Sequence, residues 1–222
     1  VKNLSLVLSI FICVSCSKLS ANEIKPKLFT NYFTGLESEI VMDYQSIKLN
    51  YDLTLRSEKN VHFSTCKQVE ETASDDITVS EFHLLQMLKA NCAALKQYSQ
   101  AKSSNVSYLQ EILDKKDISN LPATAYPYVN KHDKSQRRGK TLSEYHKKFN
   151  TSLDISGAIK VETETDQMFY YVVATGDFNA DKVQDALVRI DWQVIDAFGK
   201  GFKLIMVTKK SADKPYEITT LN

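Results

Sequence analysis

Glycine and proline are scarce in this chain, six and four among 222 residues, which excludes collagen and low-complexity tracts. Neither sign of charge prevails: 28 Lys and Arg stand against 27 Asp and Glu, so no global positive field draws in nucleic acid. Catalytic signatures are missing as well. There is no G-x-S-x-G elbow, H-E-x-x-H pair, P-loop or G-x-G-x-x-G turn, and His62, His83, His132 and His146 are scattered singly. No internal repeat is present. What remains, 43% hydrophobic and 25% charged residues, is the composition of an ordinary globular protein of one or two domains, neither disordered nor a coiled-coil array.

Long apolar runs are also lacking. The longest follows Lys2, over residues 4–14 (LSLVLSIFICV). It falls short of the roughly 18 apolar residues of a membrane span and matches the core of a signal peptide. Val1 reads as an alternative bacterial start codon or as the edge of a trimmed fragment. The expectation is bacterial export, to the periplasm, the outer membrane or the medium. Two cleavage sites compete. Cys13-Val14-Ser15-Cys16 resembles a lipobox, with small Ser15 ahead of the cysteine to be lipidated and Cys13 where the pattern prefers Leu, which would remove residues 1–15. A cut after Ala21 would instead remove residues 1–21 and release a soluble protein from Asn22 onward.

Either cut leaves Cys66 and Cys92 as the thiols of the folded part, an even number in an oxidising compartment, so a disulfide between them is expected. Two buried free cysteines are the alternative. Closing the loop would contribute about 3–4 kcal/mol in the chain-entropy model.

Residues 22–130 read as a hairpin followed by helices. Ile47, Leu49, Tyr51, Leu53 and Leu55 alternate with polar residues, and after Ser57-Glu58-Lys59-Asn60 a second alternating run, Val61, Phe63 and Thr65, leads into Cys66. Thr78-x-x-Glu81 has capping-box spacing, with Phe82, Leu85, Leu88, Cys92 and Leu95 at helical spacing after it. Ser107-x-x-Gln110 predicts a second, shorter helix through Leu113. Residues 131–140 (KHDKSQRRGK) read as a solvated basic linker or loop, a phosphate or anionic-lipid patch being the functional alternative. Thr141-x-x-Glu144 caps a helical turn. From there to residue 222 the pattern is an antiparallel meander, with strands over 158–164, 167–175, 185–195, 202–208 and 216–221. The fold class is therefore α+β. On the strand after residue 185, Arg189, Asp191 and Gln193 share a face read as solvated, opposite Val188, Ile190, Trp192 and Val194.

The segment Gly176-Asp177-Phe178-Asn179-Ala180-Asp181-Lys182-Val183-Gln184-Asp185 lies between two predicted strands. Oxygen side chains recur at Asp177, Asn179, Asp181 and Asp185, with the Val183 carbonyl as a further donor, the pattern that wraps a hard cation such as Ca²⁺. A turn rich in Asp and Asn, which tolerate left-handed backbone and cap themselves, is the alternative. Over residues 170–194 the segment resembles the calcium loops of FG-GAP or VCBS-type repeats, D-x-[DN]-x-D-G-x-x-D followed by a strand. Lys182 replaces the glycine, which sets a side chain where φ > 0 is needed and a positive charge near the ion. The resemblance implies weak, extracellular-range affinity, about 10⁻⁴–10⁻³ M. It implies no propeller, since one loop is not several blades. The wider stretch around it looks like uncharacterised bacterial envelope proteins.

The reading that follows is a non-enzymatic binding or structural module of the envelope with a weak calcium loop. Its partner is an unknown protein or other envelope component, not nucleic acid, and it meets the membrane only through a lipid anchor at Cys16. The alternatives are a periplasmic hydrolase with an acidic cleft over residues 177–191 and an inhibitor or immunity-type protein that binds through an exposed sheet face.

Overall fold

The computed structural model describes residues 23–38, 43–109, 113–128 and 131–221. The leader expected at residues 1–21 and Cys16 within it lie outside this range. Among the described residues no helix is long and apolar enough to cross a membrane.

The fold is α+β. Strands β1 (Lys27–Leu28), β2 (Lys48–Thr54) and β3 (Asn60–Thr65) lead into helices α1 (Cys66–Glu71), α2 (Phe82–Ser99), α3 (Lys115–Asn120), α4 (Lys131–Arg137) and α5 (Leu142–Tyr145). Strands β4 (Asn150–Leu153), β5 (Ile159–Glu162), β6 (Asp166–Gly176), β7 (Asp185–Val194), β8 (Lys200–Thr208) and β9 (Glu217–Thr220) follow. Strands β4 to β9 form an antiparallel meander in chain order, and β2 pairs with β3 as a separate hairpin. All five strands read from the sequence after residue 158 are present. Two others join them: β4, and β1, which continues the sheet past the end of β5 by pairing Lys27 with Thr175 and Leu28 with Ala174.

Side-chain alternation along β7 feeds two cores. Leu187 joins Leu85, Leu88 and Leu95 of α2 and Leu53 and Phe63 of the hairpin on one face. Ala186, Val188 and Ile190 join Ile118, Leu121 and Leu142 on the other. The sheet is thus a middle layer, with α2 and the hairpin above it and the short helices α3 and α5 below.

Local chemistry sets the helix ends, with one departure from expectation. Capping boxes form at Thr65 and Gln68, at Asp114 and Asp117, and at Thr141 and Glu144. The Thr78–Glu81 box does not form: α2 starts at Phe82, and the Glu81 carboxylate instead accepts the N–H and hydroxyl of Thr54 at the end of β2. A strand-end donor with no ladder partner outcompetes the local cap. Residues 107–109 carry no helix, contrary to expectation, and residues 110–112 lie outside the described range. There Val106 bridges Val183, and the Ser107 hydroxyl donates to the Leu109 carbonyl.

Residues 131–137 are helical rather than an irregular connector. Asp133 and Arg137, four apart, stack on one face and make a two-point ion pair at 2.8 and 2.6 Å, and Arg137 is 5% exposed.

Candidate functional site

The disulfide expected from the sequence is formed. Cys66 opens α1 directly after β3, Cys92 lies on the buried stripe of α2, and their Cα atoms are 5.5 Å apart across the bond. It ties hairpin to helix at the top of the first core.

The oxygen-rich loop joins the ends of β6 and β7. A strip of chain at residues 102–106 clamps it on both flanks. Lys102 and Asp177 exchange backbone hydrogen bonds of 3.0 and 2.9 Å, Asn105 N–H donates to the Lys182 carbonyl, and Gln184 N–H donates to the Val106 carbonyl. Gly176 permits this approach, because a Cβ there would lie 3.2 Å from the Cβ atoms of Ala101 and Pro26.

Within the loop, Asp177 accepts N–H bonds from Asp181 at 3.2 Å and Lys182 at 3.0 Å. Asn179 Oδ1 accepts from Asp181 N, and Asp181 Oδ1 from Val183 N, both Asx-type turns. Asp185 accepts from Phe178 N–H and from the Thr208 hydroxyl. Ala180 and Lys182 sit at φ 65° and 67°, so the position where the family pattern has glycine does take the left-handed backbone.

Asp177 and Asp185 are 2% and 0% exposed, and among the described residues no Lys, Arg or His forms an ion pair with Asp177, Asp181 or Asp185. Burial pushes the Asp185 carboxyl up to about 6; the Asp181 and Asp177 charges add to this, while the Thr208 hydroxyl and the Phe178 N–H oppose it. Lys210 is drawn instead into an ion pair with Glu217. The loop concentrates negative charge, and Lys210, although paired with Glu217, also feels the Asp181 charge. Among the described residues no three His, Cys, Asp or Glu side chains stand grouped as a ready metal centre. Asp177, Asp181 and Asp185 do not stand as such a group, and the expected donor set adds to them Asn179 and the Val183 carbonyl. A carboxylate offers about four lone-pair sites, so the N–H bonds on Asp177, Asp181 and Asp185 leave oxygen capacity for a hard cation.

The other polar residues noted in the sequence fall elsewhere. Asp191 lies six residues along β7 from Asp185, about 20 Å at strand rise, so the loop and Asp191 do not share one acidic cleft. The face of Arg189 and Asp191 is covered rather than solvated. Arg189 is 5% exposed, grips both oxygens of Asp191 at 2.7 and 3.0 Å, and donates to Asn91 Oδ1 on α2 and to the Tyr32 carbonyl. Its guanidinium lies 5.0 Å from the Tyr171 ring centre. Asp191 also borders a cleft of about 280 Å³ together with His83, Lys200, Phe169 and Phe202. Burial lowers the proton affinity of His83 and the Lys200 charge lowers it further. Trp192 packs against the second core, as expected. His62 is exposed beside Asp52, and His146 packs against Tyr126 and meets Tyr145 edge-on.

Sequence reasoning passed over Lys203. It sits 9% exposed in β8, its ammonium held by the Thr124 carbonyl at 2.6 Å. The alternation of Lys203, Ile205 and Val207 was the available signal, since it places a lysine on an inward row. No family model, no curated protein and no solved structure matches this chain.

Proposed function

We propose that this protein is an exported envelope module that engages a partner without transforming it, and that a calcium ion held by Asp177, Asn179, Asp181, Asp185 and the Val183 carbonyl braces its sheet. The observation that carries the reading is the pair of buried carboxylates, Asp177 and Asp185, joined by Asp181, with none of the three in an ion pair among the described residues. Buried charges without partners are costly, and a divalent ion supplies what the loop lacks. The Cys66–Cys92 bond supports an oxidising compartment, such as the periplasm or the outer surface reached through an anchor at Cys16.

The test is thermal unfolding of the oxidised protein in millimolar CaCl₂ and in EGTA, with Asp181→Ala as control. At ten times Kd the ion stabilises by about 1.4 kcal/mol, a few degrees at this size. A calcium-dependent rise that vanishes in the variant supports the site. Equal melts in both buffers reduce residues 177–185 to a self-capped turn.

A second reading, a periplasmic hydrolase, draws on the cleft that holds both His83 and Asp191. Asp191 there is committed to Arg189 through both oxygens, which suits a fixed acceptor better than a proton carrier.

A further inference from the structure

Among the described residues three cationic side chains are buried: Arg137, Arg189 and Lys203. Arg137 is matched by Asp133 and Arg189 by Asp191, each through two hydrogen bonds. Among the described residues Lys203 has no carboxylate partner. Its ammonium donates to the Thr124 carbonyl and lies 5.0 Å from the centre of the Tyr128 ring. Lys134, from α4, places a second ammonium 5.1 Å from that same ring centre and likewise forms no ion pair among the described residues. The intervening residues 129 and 130, outside the described range, are Val and Asn and bring no charge.

Two ammonium groups thus share the Tyr128 ring, with the Arg137 charge nearby and the Asp133 carboxylate already taken by Arg137. Burial holds the Lys203 ammonium down to about 8, and the charges of Lys134 and Arg137 push the same way. An apolar side chain would fill this row of the sheet without that cost. A lysine retained for structure alone would be expected to carry an acidic partner, as the two buried arginines do.

We infer that Lys203 and Lys134, arranged about Tyr128, form the binding site of a phosphate-type oxyanion. The carbonyl of Thr124 and the face of Tyr128 occupy two directions of the Lys203 ammonium and leave a third N–H to donate. Lysine serves phosphate as a point charge, and two of them match the charge of a phosphate dianion. A cavity of about 530 Å³ adjoins Thr124, with Lys140, Thr141 and Glu217 also on its wall and neither Lys203, Lys134 nor Tyr128 lining it. The basic run that reads as a solvated linker thus contributes a side chain to a built site. The phosphate group can be that of a small soluble molecule or of a lipid headgroup, and the chemistry at Lys203 is shared by both.

The experiment measures thermal unfolding of the oxidised protein at fixed ionic strength as chloride is replaced by inorganic phosphate, in EGTA so that the calcium loop does not contribute. Ten millimolar phosphate is expected to raise Tm by about 2–4 °C. Lys203→Met is expected to abolish the rise while melting no lower than the parent without phosphate. Lys134→Gln, on the surface of α4, is expected to weaken phosphate binding about tenfold, and it decides the matter if Lys203→Met does not fold. Sedimentation with phosphatidylglycerol and phosphatidylcholine vesicles separates the sources. Lys203-dependent capture by the first alone assigns a headgroup, and a phosphate response without capture assigns a soluble ligand. A parent that responds to neither phosphate nor vesicles, or a response that survives undiminished in Lys134→Gln and Lys203→Met, overturns the inference.

Discussion

Arg189 and Asp191, two residues apart on β7, are joined through both carboxylate oxygens beneath α2, and Asn91 and the Tyr32 carbonyl accept from Nη1 of the same guanidinium. Burial raises the Asp191 proton affinity while Arg189 lowers it. Removing one partner strands a buried charge, so Asp191→Ala is expected to cost about 3–5 kcal/mol in urea unfolding. The double substitution Arg189→Met with Asp191→Leu is expected to recover most of that loss. Equal losses in the single and double variants would show that the pair is not coupled.

Lys182 holds a left-handed backbone at φ 67°. Lys182→Gly removes the Cβ strain, about 1 kcal/mol, and takes a positive charge from beside the proposed ion. Tm in EGTA is expected to rise by a few degrees, and the calcium-induced shift to grow at any fixed calcium concentration. Calorimetric titration checks the second part, in which a weaker affinity would count against the assigned ligands.

Asp185 titrates near 6 in the folded protein, above its unfolded value near 3.9. A raised folded pKa means the folded state takes up the proton first. The stabilisation is complete below the unfolded value and is lost as pH rises through about 6. Relative to Asp185→Asn, the parent in EGTA is expected to gain about 1 kcal/mol between pH 7.5 and 5 and about 2–3 kcal/mol below pH 4. Saturating calcium should erase the gain, because proton and ion compete for the same carboxylate.

His146 has the opposite sign. Its imidazole packs at 4.5 Å on Tyr126, its Nε2 is buried without a partner among the described residues, and burial and the Arg137 charge hold its pKa below the usual value while Asp166 and Asp133 oppose the shift. The unfolded state therefore binds the proton first, and stability present above pH 6.5 is lost as pH falls toward the folded value. His146→Phe keeps the ring and discards the charge. It is expected to flatten the decline below pH 6.5 without lowering Tm at pH 7.5, as followed by circular dichroism melts.

Much of the fold was legible because its strands are amphipathic and its turns polar. Leu49 and Leu53 alternate with lysine and aspartate and are buried, and the runs around Val161, Met168 and Ile205 behave likewise. Cys66 and Cys92 could be paired by counting. The loop from Asp177 to Asp185 was found by its two-residue rhythm, and the strain at Lys182 by its place in the pattern. What was not legible depends on distant packing. Lys27 and Leu28 are too few to show a period, yet β6 had an open edge for them. Arg189 and Asp191 looked solvated because only the arrival of α2 covers them. The basic run at Lys131 hides an amphipathic helix whose inward residue is an arginine, a type that reads as exposed until Asp133 is seen to match it.

The strip at residues 102–106 that clamps the loop also holds the start of the described chain, because Ile24 and Ser104 exchange backbone bonds of 2.8 and 2.9 Å between the contacts to Asp177 and Val183. Tension applied ahead of Glu23 would therefore run through Ile24 into the strut that sets the spacing of the loop oxygens, with β1 bearing the remaining load in shear against β6. A tether pulling at that point would load the loop and the sheet together, through Ser104 on one side and through Lys27 and Leu28 on the other.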